Sequence, residues 1–533
     1  MARKLCLIVV DAMRTDMLER TVAAGDAPNF AALLERGVTV PDCVSSFPTV
    51  TPVCCAEIAT GEGPAGHGIV GMNWFHRIES RYVEYGSSLE ATRTFGLVRS
   101  LYDVVYNMNM AHLSPEAETV FERLGDAGLR SACTPFLIYR GRTRHEVGLE
   151  GMLRRVALAA SFRHATWGPD ELFWGELYAS RRAACKPTLA RPGTRDAYSG
   201  CVGRQLVRDD AYDFLLFSLP DNDYHAHKGG PDGMNDSLPL ADQAFGELVD
   251  EAGGIDAFCD DHAVILMADH AQTDVGEGID LAGVLGAEWR VLQPNDPNPE
   301  AAELAVSPTA RAGAVYVLAD GRRGRRAHDD ARARLRRLDG IDVVAWLAGS
   351  DGRPLQREGA GPPDDEGVEA VIEAARGNRG SGPTVARAGE LRFRPGGQVR
   401  DRRGLGWDVD GDLSVLGAER RDGRLVSTSH PDPLGRLWSA LCAPHAGDIL
   451  ISLAHGYETV DWGGMTHVGG GSHGALEAGD SLVPLVMVGL EPGVEATREQ
   501  WKLADVAELV YSHFELGDGP TVRAAGDRAG VAR

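Results

Sequence analysis

The sequence predicts an α/β fold: a central, mainly parallel sheet flanked by helices, with an inserted cap subdomain. Three observations lead there. Short, almost continuously apolar runs such as Lys4 to Val10 and Ala263 to Ala268 read as strands buried on both faces, the pattern of parallel sheets. Segments with helical start and stop signals alternate with them. Residues 286–400 break this pattern, being rich in Arg, Gly, Asp and Pro and only weakly periodic. They read as an insert or cap between the two parts, 1–285 and 401–533, of the main α/β domain.

The elements follow in order. Lys4 to Val10 is the first strand. Pro28 to Gly37 opens with proline in its first turn and closes on glycine, as helices do. Val53 to Ala59 suits a short helix. Asp213 to Leu219 (DFLLFSL) is a second buried strand, Ser237 to Val249 a helix, and Ala263 to Ala268 (AVILMA) a third strand. Within the insert, Arg322 to Arg337 has a helical Ala/Arg/Leu pattern and reads as a solvated surface helix. Asp448 to Leu453 (DILISL) and Val483 to Val488 (VPLVMV) give two more strands, and Leu503 to Phe514 a closing helix.

Composition narrows the function. The 533 residues carry 54 Lys and Arg against 77 Asp and Glu, a net charge of -23. Such a surface repels nucleic acid polymers and anionic lipid, so neither nucleic acid nor a membrane is expected as a partner. A small anionic substrate stays compatible, because a metal ion inverts the local field. No apolar run approaches the roughly 18 residues of a membrane span. The early run Leu5 to Val10 ends in Asp11 and is too short for a secretion signal, which points to the cytoplasm. The nine cysteines are scattered, with no CxxC pair, and read as reduced thiols. The sequence carries no sign of an oligomeric state.

Chemistry-bearing residues sit where strands end. Asp11 follows the first strand. Asp221, Asp223, His225 and His227 follow the second, in LPDNDYHAHKGGP. Asp269 and His270 follow the third, and His473 lies in Gly470-Gly471-Ser472-His473-Gly474. Open α/β sheets bind ligands beyond the carboxyl ends of their strands. Carboxylates and imidazoles converging there make a mixed nitrogen–oxygen set suited to Zn²⁺ or Mn²⁺. Six such groups suffice for two ions with three protein ligands each.

These motifs, in this order, resemble the alkaline phosphatase superfamily, and within it the type I phosphodiesterase/nucleotide pyrophosphatase branch. The resemblance rests on the strand ending in Asp11, then SFPTVTPVCCAEIATGEGPAGHGIVGMNWF, PDNDYHAHKGGP, ADH and GGGSHGALEAGDSLVPLVMVG. It implies an alkaline-phosphatase-like sandwich and a two-metal phosphohydrolase. That enzyme would cleave a phosphodiester or phosphoanhydride through a covalent phosphothreonine. Thr51 would be the nucleophile; Thr49 is its nearest competitor, but Thr51 has the family's separation from His67-Gly68-Ile69. One ion, most simply Zn²⁺, would be held by Asp11, Asp269 and His270 with Thr51 facing it, the other by Asp223, His227 and His473. Asp221/His225 shares the Asp-x-x-x-His spacing with Asp223/His227. The family's Gly-Pro, three and four residues after the histidine, is met by His227 with Gly230-Pro231. Asn73 resembles the family asparagine that donates to a phosphate oxygen, although it stands one residue late.

The sequence also departs from the branch. Pro52 and Cys54 occupy positions where nucleotide pyrophosphatases often carry an aromatic and an asparagine, which weakens a specifically nucleotide substrate. Trp74 and Phe75 could supply an apolar wall or belong to the core. A phosphonate C–P hydrolase and a phosphomonoesterase share the ligand pattern and remain alternatives. So does a metal-stabilised binding protein without catalysis. Ser472 sits in a G-x-S-x-G sequence without the strand that a nucleophile elbow needs. Gly61 to Gly66 matches GxGxxG but follows no strand. Arg140, Arg142, Arg144 and His145 form a basic cluster that could hold a substrate anion, and Tyr457, Trp462 and His467 precede the last histidine motif.

Overall fold

The apolar run Lys4–Val10 becomes an inner strand because every residue from Leu5 to Val10 is buried and neither face has to meet water. Phe214–Leu219 and His262–Met267 flank it in parallel, and Ser131–Cys133 and Glu171–Trp174 continue the parallel part. Leu482–Val488 pairs antiparallel with His262–Met267, and Val38–Val44 antiparallel with Leu482–Val488. With Tyr178–Ala179 this makes an eight-stranded mixed sheet with a parallel centre, as expected. The structure is a computed structural model that describes residues 3–147, 164–175, 177–181, 183–185, 194–355, 357, 367–375, 389–491 and 493–517.

Register fixes where the site forms. Val10 lies beside Leu219, and Val9 beside Met267, so the three central strands finish together. Their next residues turn off one edge of the sheet. Helices cover the sheet: Met234–Glu251 packs with Arg195–Arg208, Thr15–Ala24 and Pro28–Arg36, and Thr51–Thr60 packs with Val120–Asp126 and Asp505–His513. Thr51–Thr60 begins two residues before the expected Val53 because Pro52 fits the first turn, where its missing N–H has no partner to lose. Every residue from Pro52 to Thr60 is buried, and Gly61 closes the helix in the left-handed conformation.

A second, nine-stranded sheet uses strands between 304 and 453. Ile449–Leu453, expected beside the main sheet's strands, lies here, antiparallel to Ala312–Val317 and Ile341–Ala348. An apolar run records burial, not the direction of its partners. The hairpin Glu390–Arg400/Gly406–Gly411 straddles position 400, so this sheet draws strands from both sides of the boundary expected for the insert. Residues 358–366 and 376–388 of that region lie outside the described residues. Helix Gly321–Leu335 turns Ala327, Ala331 and Leu335 inward and leaves Arg322, Arg323 and Arg326 exposed. Cys185 and Cys201 form a disulfide, contrary to the expectation of nine reduced thiols; their Cα atoms are 5.9 Å apart, and no local motif marks them. No described helix is long and apolar enough to cross a membrane.

Candidate functional site

Asp11 leaves the first strand with its N–H donated to Leu219 O at 3.0 Å, which ties it to the neighbouring strand end. Ala12 then takes φ 60°, a left-handed conformation costly for a residue with a Cβ. That turn aims the Ala12 N–H at Asp269 Oδ1, 3.2 Å away. The His270 N–H donates to the same oxygen at 2.9 Å. Asp269 Oδ2 and Asp11 Oδ1 are buried without hydrogen-bond partners. His270 Nε2 stands 3.5 Å from Asp11 Oδ1, 3.7 Å from Asp269 Oδ2 and 3.2 Å from Thr51 Oγ1.

On the other side, Asp223 Oδ2 is 3.3 Å from His227 Nε2 and its Oδ1 is 3.7 Å from His473 Nε2. The rings of His270 and His473 stack at 3.8 Å. Two sets of ligand atoms each lie within 4.8 Å of one another: Asp11, Asp269 and His270, and Asp223, His270 and His473. His270 thus belongs to both sets, and His227 reaches the second through Asp223.

The three imidazoles share one orientation. Nδ1 of His227 points to Gly471 O (2.8 Å), that of His473 to Thr49 O (2.7 Å) and that of His270 to Ala271 O (3.1 Å). A carbonyl only accepts, so each Nδ1 carries a proton and each Nε2 faces the centre, where it can give a lone pair to a cation. Backbone carbonyls commonly fix metal-binding histidines this way.

The electrostatics are those of crowded acids. Burial, with Asp269 and Asp223 nearby, pushes Asp11 well above the usual carboxylate range, and burial raises Asp269. Burial opposes ionisation of Asp223 too, but His227, His473 and His270 outweigh it and hold that carboxyl below its ordinary value. Burial and neighbouring His270 push His473 well down, whereas Asp223 raises His227 against its burial. Orphaned carboxylate oxygens, aimed imidazole lone pairs and mutually repelling acids fit divalent cations.

Neighbouring contacts differ between the residues that the sequence left as alternatives. Asp221 accepts from Arg195 Nε at 3.1 Å and from the Asp196 N–H at 2.9 Å, so its carboxylate is engaged elsewhere while Asp223 faces the centre. His225 makes a ring contact with Tyr224. Thr49 Oγ1 donates to Ala475 O (3.1 Å) and accepts from the Gly474 N–H (2.8 Å), so it braces the loop of His473. Thr51 stands free of that work at the first turn of its helix, where the helix dipole favours negative charge.

Asn73 differs from expectation. It is buried in a hairpin, and its amide donates to Val83 O and Glu84 Oε2, both at 3.1 Å. These contacts direct the amide nitrogen into the hairpin. Trp74 and Phe75 are core aromatics, packed on His445 and Tyr316 among others. Arg140, Arg142 and Arg144 pair with Glu122, Asp126 and Glu146, and His145 bonds to Pro169 O. Ser472 Oγ is buried and has no hydrogen-bond partner among the described residues, so none of them is placed to act on it as a base. Sequence reasoning missed Asn222, which donates to Asp11 O at 2.7 Å, and Gln272, which donates to Asp223 Oδ1. Each adjoins a motif residue, but only the fold shows where its amide points.

The profile of the type I phosphodiesterase/nucleotide pyrophosphatase family matches residues 5–346. An uncharacterized pyrophosphatase/phosphodiesterase of Schizosaccharomyces pombe is 39% identical over 75 residues, which is 14% of this chain and 15% of that protein. Among solved structures, phosphonoacetate hydrolase of Sinorhizobium meliloti in complex with phosphonoformate superposes with a TM-score of 0.53 at 15% identity, covering 96% of both chains. Murine ectonucleotide pyrophosphatase/phosphodiesterase 5 superposes at 0.52 and 12% identity, covering 96% of this chain and 95% of that one. At such identities these neighbours speak to the fold, which is the alkaline-phosphatase-like α/β architecture.

Proposed function

Because the chain belongs to the type I phosphodiesterase/nucleotide pyrophosphatase family, hydrolases of ester and anhydride bonds of phosphorus, we propose that it cleaves a small phosphodiester or phosphoanhydride with Thr51 as nucleophile. The observation that carries this reading is the arrangement around Thr51 Oγ1: a hydroxyl 3.2 Å from His270 Nε2, beside three imidazoles whose lone pairs are aimed inward by backbone carbonyls.

In this reading Asp11, Asp269 and His270 hold one divalent ion, with Thr51 beside it, and Asp223, His227 and His473 hold the second. The equal mix of imidazole and carboxylate favours Zn²⁺, with Mn²⁺ next. When bound, the ions would supply positive charge for the phosphoryl oxygens and make the threonine hydroxyl easier to ionise.

The chain's own work is positioning. Val50 is extended and Thr51 begins the helix, so the hydroxyl is presented at a sharp strand-to-helix turn. Thr51 Oγ bonds to phosphorus as the bond to the leaving group breaks; water then cleaves the phosphothreonine and restores the hydroxyl. Thr49 and Asn222 hold the loops that carry His473 and Asp11, so little reorganisation accompanies the reaction.

The test is product release from zinc-reconstituted protein given bis(p-nitrophenyl) phosphate and, separately, p-nitrophenyl phosphate. Faster diester turnover supports the reading. Preference for the monoester would move the protein to phosphatase chemistry, and inactivity on both would sink the esterase reading.

A further inference from the structure

The loop before His473 holds a contact that the proposed chemistry leaves unused. The His467 ring stacks on His227 with centroids 3.9 Å apart and planes 24° apart. His467 is itself pinned by Glu458, which is 2% exposed. Glu458 Oε1 accepts the His467 backbone N–H at 2.6 Å, and Oε2 lies 3.2 Å from His467 Nδ1. Glu458 stands on the short strand Gly456–Thr459, paired parallel with Thr273–Ile279, so its carboxylate is fixed by a sheet. The His467 side chain is about one-third exposed and lies in a glycine-rich loop that includes Gly463, Gly464, Gly469 and Gly470. Such a loop loses much conformational entropy when ordered. One buried carboxylate that accepts from both the backbone and the ring of His467 fixes that residue in place.

We infer that His467 is a positioning residue: held by Glu458, it fixes the ring plane of His227 and thereby sets the strength of ion binding at the Asp223–His227–His473 position. This rests on the two-ion reading above. His227 has its Nδ1 tied to Gly471 O, which fixes the direction of the ring edge but leaves rotation about that bond. The second constraint is the flat face of His467. It also covers the outer face of His227, where water would otherwise compete. His227 sits in the last turn of the helix Asp221–Gly229, where backbone restraint is weakest.

The experiment titrates the metal-free 533-residue chain with Zn²⁺ against a chelating indicator, beside His467→Ala, His467→Phe and Glu458→Gln, with circular dichroism to confirm folding. The unmutated chain is expected to bind two ions. In His467→Ala one ion should bind as before and the other roughly 10–100-fold more weakly. His467→Phe keeps a flat ring and should recover most of that loss; Glu458→Gln should fall between them. A merely structural role would weaken both positions alike or neither. Two ions bound with unchanged affinities in His467→Ala would overturn this inference alone, as would equal weakening of both. Fewer than two ions on the unmutated chain would overturn the two-ion reading and this inference with it. If His467→Ala does not fold, the same selective loss in Glu458→Gln decides the matter.

Discussion

Thr51 and Thr49 are two residues apart and chemically identical, yet the fold gives them different work. Thr49 spends its hydroxyl on Ala475 O and the Gly474 N–H and its carbonyl on His473. Thr51 keeps its hydroxyl at the centre, against His270 Nε2. Thr51→Ala is therefore expected to lower kcat by about 10³-fold or more while leaving zinc content unchanged. Thr49→Ala should lose about 1–2 kcal/mol of stability and retain measurable turnover. Rates and metal content of the two variants, measured together, check this; equal activity losses would show that the nucleophile has been misassigned. The motif order was enough to propose Thr51. The bracing by Thr49 was not legible, because its partners lie more than 400 residues away in sequence.

At the scale of elements, the His473 loop hangs on a buried ion cluster. Arg311 and Asp480 are paired with both side chains fully buried, and Arg311 also reaches Glu477 at 2.9 Å and Ala454 O at 3.0 Å. The Arg311 N–H donates to His473 O at 2.7 Å, and Asp480 accepts the Ala475 N–H at 2.9 Å, so the cluster grips the loop on both sides of His473. Removing one partner leaves an uncompensated buried charge, so Arg311→Ala should cost about 3–5 kcal/mol in chemical denaturation. A loss below 1 kcal/mol would mean the pair is not the support described. The Ile341–Ala348 strand has a pH-dependent tie. His430 Nε2 lies 2.8 Å from Asp342 Oδ2. Burial opposes its charge, but Asp342 outweighs burial and raises its pKa above the ordinary value. A raised imidazole stabilises the fold fully below the unfolded-state value near 6.5, and that contribution fades as pH rises through the folded value. The melting difference between the unmutated chain and His430→Gln should therefore be largest near pH 6 and shrink toward pH 9 (about). A constant difference would remove the charge from the account. The buried parallel strands were legible because their apolar runs are continuous. Glu390–Arg400 was not: its exposed residues are Glu390, Arg394, Gly396, Gln398 and Arg400, and 11 residues alternating in burial look like surface from sequence alone.

The whole molecule converges on one place. Asp11 follows the first strand, Thr51 starts a helix, Asp223 and His227 lie on the helix after the second central strand, Asp269 and His270 follow the third, and His473 lies in a loop held by Arg311, in the turn between two strands of the second sheet. Burial, with Asp269 and Asp223 nearby, pushes Asp11 upward, and burial raises Asp269, so without cations these carboxyls resist ionisation. An ion that binds the folded chain and not the unfolded one adds stability by mass action, about 4 kcal/mol at 1,000 times its Kd. Chelation should then lower the melting midpoint of the entire chain, and added Zn²⁺ should restore it in a concentration-dependent way. Asp269→Ala, which removes a buried charged ligand of one ion, should melt with a much reduced response to chelator. The same midpoint with and without chelator would mean that the centre holds no ion. A full response in Asp269→Ala would mean that Asp269 holds neither ion.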